Sequence, residues 1–124
     1  MSVEQGGAAR RVDGCPFCAV VAGELPATVV HETERVLAFR DLGPVAPTHL
    51  LVVPRDHHAD VDALVAVDPG LAGELLAVAV QVAQAEGLDA GHRLVVNTGT
   101  DGGQTVHHLH VHVLGGRRLG WPPG

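Results

Sequence analysis

Lysine is missing altogether. All eight basic side chains are arginine, set against fourteen acidic ones for a formal net charge of −6, and the choice of arginine reads as compositional bias rather than chemistry. The negative balance excludes more. Binding a nucleic-acid polymer leans on a basic surface that displaces counterions, so that partner is not expected, whereas a single nucleotide held by backbone amides and a few imidazoles is compatible. No run of about 18 apolar residues could cross a bilayer. Nor does an N-terminal stretch combine a basic start, an apolar middle and a small-residue cleavage site, and a cytoplasmic location is expected. Cysteine is scarce, with two residues; in a reducing compartment such a pair holds metal or stays as thiols rather than closing a structural disulfide. Internal repeats and regular βαβ alternation are absent too.

What the chain has is histidine, nine in 124 residues, and three of them alternate with apolar residues in His108-Leu109-His110-Val111-His112-Val113-Leu114. Strict alternation is the mark of a half-buried strand. It sends Leu109, Val111 and Val113 into a core and sets three imidazoles on the other face. With a rise of about 3.3 Å per residue, His108 and His112 stand roughly 13 Å apart, too far to share one ion. The row must divide its labour.

The length suits one domain with a small core. Residues 1–13, with Gly6-Gly7 and little periodicity, are expected to form a mobile tail, and 14–124 the domain. A short helix should start at Cys15-Pro16-Phe17-Cys18 and run to Gly23. Strands follow at Val29-Val30, at Val36–Phe39 and, past the stiff Gly43–Pro47 loop, at Thr48–Pro54. Asp68-Pro69 opens one long helix that Glu86-Gly87 closes. Its apolar residues cover more than one stripe, so part of it is expected to meet a second copy of the chain, unless one sheet and its loops suffice to cover it. Arg93–Asn97 and the histidine strand complete the sheet. The order implies an α+β fold with a five-stranded antiparallel sheet, one long helix and one short.

The histidine strand follows Gly102-Gly103-Gln104-Thr105 and precedes Gly115-Gly116-Arg117 and a terminal Trp121-Pro122-Pro123-Gly124. In those blocks, from about Cys15 to Gly124, the chain resembles the histidine triad superfamily, and within it the nucleotide-binding branch. That resemblance implies a homodimer with joined sheets that hydrolyses purine nucleoside phosphoramidates. An adaptor that binds nucleotide or zinc without turnover, and an enzyme splitting dinucleoside polyphosphates, are the alternatives.

A neutral imidazole is a competent nucleophile when one ring nitrogen is tied down as a donor, and the resemblance places the nucleotidyl-carrying role on His110. His112, two residues on and facing the same way, is implied as phosphate contact and, as an imidazolium, leaving-group acid. Gly103, Gln104 and Thr105 are implied to reach the phosphate through backbone amides, the Gln104 amide and the Thr105 hydroxyl. Asp41 is implied as the ribose acceptor, with Phe17, Val20, Phe39 and Leu42 around the base; Phe39 is equally explained as core. Asn97 matches a sugar or phosphate contact, and Trp121 a residue reaching the other subunit's site.

Cys15 and Cys18 have metal-ligand spacing, and tetrahedral zinc wants two further N or S donors. Some relatives close such a site with the counterparts of His49 and His108, which makes His108 a ligand while His110 stays free. Others lack the cysteines and use the counterpart of His49 as a hydrogen-bond partner of the triad. Zinc, plain buried thiols and a redox dithiol all remain open at this stage. His107 should face the core, and His57, His58, His31 and His92 read as solvated.

Overall fold

The computed structural model describes residues 10–124 of the chain. Its first helix, α1 (Pro16–Val21), starts on Cys15, whose Sγ accepts from the Cys18 N–H; Pro16 has no N–H to leave unbonded in the first turn. Three strands follow, β1 (Val29–Glu32), β2 (Val36–Arg40) and β3 (Thr48–Pro54). Two helices come next, α2 (Val61–Val67) and α3 (Pro69–Ala85). The chain ends with β4 (His92–Val95) and β5 (Val111–Gly115).

The strands form one sheet in the order β1-β2-β3-β5-β4, antiparallel throughout. β3 and β5 lie at its centre, and β3 is buried along nearly its whole length because both sheet faces are covered. On one face Val36, Ala38, Leu50, Val52, Leu109, Val111 and Val113 pack against Leu71, Leu75, Val78, Ala79, Val82 and Ala83 of α3. On the other, Leu37, Phe39, Leu51 and Val53 meet Phe17, Val20 and Val21 of α1. Burying an aliphatic side chain contributes about 1.5–3 kcal/mol, so the first face carries most of the stability. The second is only partly roofed, and there the histidines emerge.

Helix α3 follows its sequence signals. The Asp68 carboxylate accepts from the Leu71 N–H at 3.1 Å, Pro69 fills the first turn, and Gly87 adopts φ 75° just past the Glu86 cap. Arg35, on the turn before β2, pairs with Asp68 and Glu74 and ties the helix start to the sheet.

Three expectations need correction. A second short helix, α2, adds to the one long and one short helix expected: Asp60 caps it through the Ala63 N–H, but only Leu64 is buried, so its sequence shows no apolar stripe. The last strand begins at Val111 rather than His108, and His107 lies exposed in the preceding bend rather than facing the core. Of the tail expected over residues 1–13, residues 1–9 lie outside the described part. In the remainder Arg11 pairs with Glu24 at 2.8 Å, the Arg10 N–H donates to Asp56, and the Val12 N–H to the Cys18 sulfur.

Candidate functional site

The histidines are delivered by a loop wound on itself. A Cβ on Gly102 would overlap the Thr98 carbonyl oxygen, so only glycine lets the two backbones close. The Gly103 and Gln104 N–H groups donate to the Thr100 and Gly99 carbonyls, each at 3.0 Å. The buried Gln104 side chain donates to the Ala59 and Val106 carbonyls at 2.7 and 3.1 Å and accepts from the Gly99 N–H at 3.0 Å. These amides hold the loop closed on itself. The exposed Thr105 hydroxyl has no partner among the described residues.

Past that clasp, the Leu109 N–H donates to the His58 carbonyl at 2.7 Å and sets the entry to β5. Leu109, Val111 and Val113 point into the α3 face as the alternation requires. His108, His110 and His112 take the other face, with Phe17 edge-on to His110 at 5.0 Å between ring centroids and His110 at 4.9 Å from His112.

Hydrogen-bond partners fix the ring tautomers. His110 Nδ1 lies 2.8 Å from the His108 carbonyl, so it carries a proton, and in the neutral ring Nε2 keeps the lone pair. His49 Nδ1 accepts from the Val45 N–H at 3.2 Å, so His49 Nε2 is the protonated nitrogen. That N–H faces His112 Nδ1 at 2.9 Å, with Asp41 Oδ2 at 3.4 Å. His112 Nδ1 is then an acceptor, and a neutral His112 carries its proton on Nε2. Neither His110 Nε2 nor His112 Nε2 has a partner among the described residues. No buried side-chain nitrogen or oxygen there is left unbonded, so both atoms reach the surface. A bare nitrogen and an N–H donor stand side by side.

Burial, then the neighbouring His110 and His49, push the His112 pKa down to about 4 against a weaker opposing pull from Asp41. His112 is therefore neutral at pH 7. Burial also lowers His49, again opposed by Asp41.

The second cluster lies at the other end of the row. Ligand atoms of Cys15, Cys18, His57 and His108 all fall within 4.8 Å of one another. His108 Nε2 donates to the Pro54 carbonyl at 2.9 Å, which leaves Nδ1 bare and facing the sulfurs of Cys15 and Cys18 at 3.3 and 3.5 Å. His57 Nδ1 stands 3.4 Å from Cys18 Sγ. Burial keeps His108 neutral, with a pKa of about 4, and pushes the Cys18 thiol up. Two sulfurs and two ring nitrogens, that of His108 bare, make the donor set that tetrahedral zinc takes, and a cation would offset the cost of ionising buried thiols.

The fourth donor is thus His57, not His49. The register explains the correction. Val52 pairs with Val111 and His49 with Leu114. His108 Nε2 donates to the Pro54 carbonyl at the end of β3, three residues before His57, while His49 lies near the start of that strand. His57 is half-buried rather than solvated. Two adjacent histidines just past a central strand were the available signal for it.

Other site residues spread around the rings. Phe17 meets Phe39 edge-on at 5.6 Å and roofs the histidine face with half-buried Val20. Asp41 is partly engaged, accepting from the Gly43 N–H at 2.7 Å. Leu42 beside it is 90% exposed and Trp121 is 82% exposed; Arg93 stacks over the Trp121 ring at 6.0 Å. Asn97 is half-buried on the segment leading from β4 into the glycine loop.

The sequence pattern of the HIT domain family matches residues 22–119. The chain belongs to the HIT domain family. A maize relative named a 14 kDa zinc-binding protein is 47% identical over 128 aligned positions, spanning all of both chains. An uncharacterised HIT-like protein of Synechococcus elongatus is 48% identical over 87% of this chain and 95% of its own. Among solved structures, a HIT family hydrolase from Legionella pneumophila superposes with a TM-score of 0.86 at 50% identity, covering 90% of this chain and all of that one. A histidine triad protein from Clostridium difficile gives 0.85 at 41% identity, covering 89% and 96%. The α+β sheet described above is thus the HIT-like fold. Among the described residues no helix is long and apolar enough to cross a membrane.

Proposed function

We propose that this HIT protein is a cytoplasmic hydrolase of purine nucleoside phosphoramidates, of the nucleotide-binding branch, working through a nucleotidyl group carried on His110. The observation that carries the reading is the pair of tautomers set by hydrogen bonds: His110 anchored through Nδ1–H to the His108 carbonyl, and His112 anchored at Nδ1 by His49. Such anchoring aligns a nucleophile before substrate arrives.

In this reading the His110 Nε2 lone pair attacks the α-phosphorus and the P–N bond breaks as the departing nitrogen takes a proton from solvent, which the attacking water of the second step returns. The His112 Nε2–H donates a hydrogen bond to a phosphate oxygen or the leaving nitrogen. Water then attacks the phosphorus, the bond to His110 breaks, and the nucleoside monophosphate leaves. Overall one water is consumed: its hydroxyl goes to phosphorus and its proton to the amine. Asp41 and Asn97 hold the sugar, Phe17, Val20, Phe39 and Leu42 enclose the base, and the Thr105 hydroxyl meets the phosphate or the leaving group. The hydrolase name of the Legionella neighbour supports the class of reaction.

Cys15, Cys18, His57 and His108 hold zinc in this reading, as the name of the maize relative supports. The metal supplies a cross-link between α1, the segment after β3 and the histidine row, and takes no part in the phosphoryl chemistry. The active form is a homodimer in this reading, because α3 turns Leu76 and Val80 outward, 50% and 42% exposed, and β4 leaves one sheet edge open. Trp121 reaches the partner's site.

His110→Ala tests the nucleophile. It should retain AMP binding within a few-fold and lose at least about 10³ in turnover of adenosine 5′-phosphoramidate. Turnover near wild type in that variant refutes the assignment.

A further inference from the structure

Helix α1 supplies residues to both histidine clusters. Cys15 at its cap and Cys18 in its first turn belong to the sulfur cluster, and Phe17, between them in sequence, turns its ring onto the sheet. That ring stands edge-on to His110 at 5.0 Å between centroids, to His108 at 5.9 Å and to Phe39 at 5.6 Å, all within the range of edge-to-face contact. One side chain thereby meets a ligand of the sulfur cluster, His108, and the nucleophile of the proposed reaction, His110.

Little else holds α1 in place. A helix of six residues is far too short to be stable by itself, and Cys18 is its one buried residue. Phe17, Val20 and Val21 are only half-buried against the sheet. The Arg11–Glu24 ion pair and the bond from the Val12 N–H to Cys18 Sγ close within the segment from Arg11 to Glu24, so they do not fasten it to the strands. Among the described residues the polar link from α1 to the sheet is made by its sulfurs, which face His108 Nδ1 at 3.3 and 3.5 Å and His57 Nδ1 at 3.4 Å.

The backbone repeats the connection. The His108 ring lies in the sulfur cluster, and the His108 carbonyl accepts the His110 Nδ1–H at 2.8 Å. The Leu109 N–H, between those two histidines, donates to the carbonyl of His58, next to His57.

We propose that zinc at Cys15, Cys18, His57 and His108 and a nucleotide at the His110 face bind cooperatively, with Phe17 carrying the coupling. With metal bound, Cys15 and Cys18 hold α1 to the sheet, and the Phe17 ring stands preset at the wall proposed for the base. Without it the nucleotide must order the helix itself, which lowers its affinity. The inference rests on the nucleotide and zinc sites proposed above, and it concerns binding rather than the phosphoryl step.

The test is a linkage cycle on the full chain. AMP is titrated by calorimetry into zinc-loaded protein and into protein stripped by a chelator, at a temperature where circular dichroism shows both folded. Zinc affinity is measured by competition with a chromophoric chelator, with and without saturating AMP. AMP should bind the zinc-loaded form at least about fivefold more tightly and should raise zinc affinity by the same factor. Phe17→Ala should weaken AMP binding in both forms and bring that factor close to one, whereas Leu42→Ala, which removes a proposed base contact outside α1, should keep it. The chain has two phenylalanines and no tyrosine, so the Phe17 ring is readable by NMR, and its cross-peaks to the His110 ring should weaken on zinc removal. AMP affinity indifferent to zinc overturns the coupling and leaves the nucleotide site standing. A factor that survives in Phe17→Ala assigns the coupling to the stability of the whole fold and overturns it as well. No AMP binding in either form refutes the nucleotide reading and the inference with it.

Discussion

His110 and His112 are chemically alike in sequence and opposite in the structure, and the difference lies in which nitrogen each has committed. His110 gives its Nδ1 proton to a backbone carbonyl, whereas His112 receives at Nδ1 from His49. His49→Ala should therefore bind nucleotide normally yet lose roughly 10–100-fold in kcat, with His112 seen by long-range ¹H–¹⁵N NMR to sample both tautomers. A wild-type kcat with a single retained tautomer contradicts this role. The same residues predict a pH effect on stability. His112 titrates near 4 when folded and near its ordinary 6.5 when unfolded, and burial depresses His49 in the same direction. The unfolded chain thus binds more protons between about pH 6.5 and 4, so stability falls as pH drops through that window and is constant, from these groups, above it. In urea denaturation the midpoint should drop on going from pH 7 to pH 4.5, and His112→Asn should flatten that dependence. An equal slope in the variant contradicts the assignment. Alternation in the sequence already separated Leu109, Val111 and Val113 from the three imidazoles, because side-chain direction is a local property. The identity of the fourth sulfur-cluster ligand depends on the β3–β5 register, which no local pattern encodes, and so His49 was expected where His57 stands.

At the scale of elements, helix α3 was readable to within a residue at both ends, since Asp68-Pro69 and Gly87 act locally on the backbone. Helix α2 was not, because its only buried residue is Leu64 and a 3.6-residue stripe never develops. The glycine loop was legible as a turn but not as a clasp: Gln104 closes it onto Ala59, 45 residues away. Helix α3 also offers an internal control. Leu75 is 2% exposed and Leu76 50%. Leu75→Ala should cost about 2–5 kcal/mol through lost burial and a cavity in the α3 face. Leu76→Glu with Val80→Glu should leave the fold intact and convert the proposed dimer to monomer in sedimentation velocity. A doubly substituted protein that sediments as the wild type does refutes that interface.

For the whole molecule, the two histidine clusters occupy separate places along one sheet face. Cys15, Cys18, His57 and His108 join α1 to the sheet's second face, and His110 and His112 stay open beside them. Chelation at neutral pH should lower Tm by several degrees, and re-addition of zinc should restore it, with proton release on binding because Cys18 is a buried thiol. A protein whose Tm is unmoved by a strong chelator, and which carries no metal as purified, contradicts the zinc site. The most direct test of the account is to trap its intermediate. Protein mixed with a molar equivalent of adenosine 5′-phosphoramidate and quenched in alkali within one turnover should carry one adenylyl group per chain, mapped by peptide mass spectrometry to His110. Turnover at the wild-type rate with no adduct at any quench time, or an adduct on His112 instead, would contradict it.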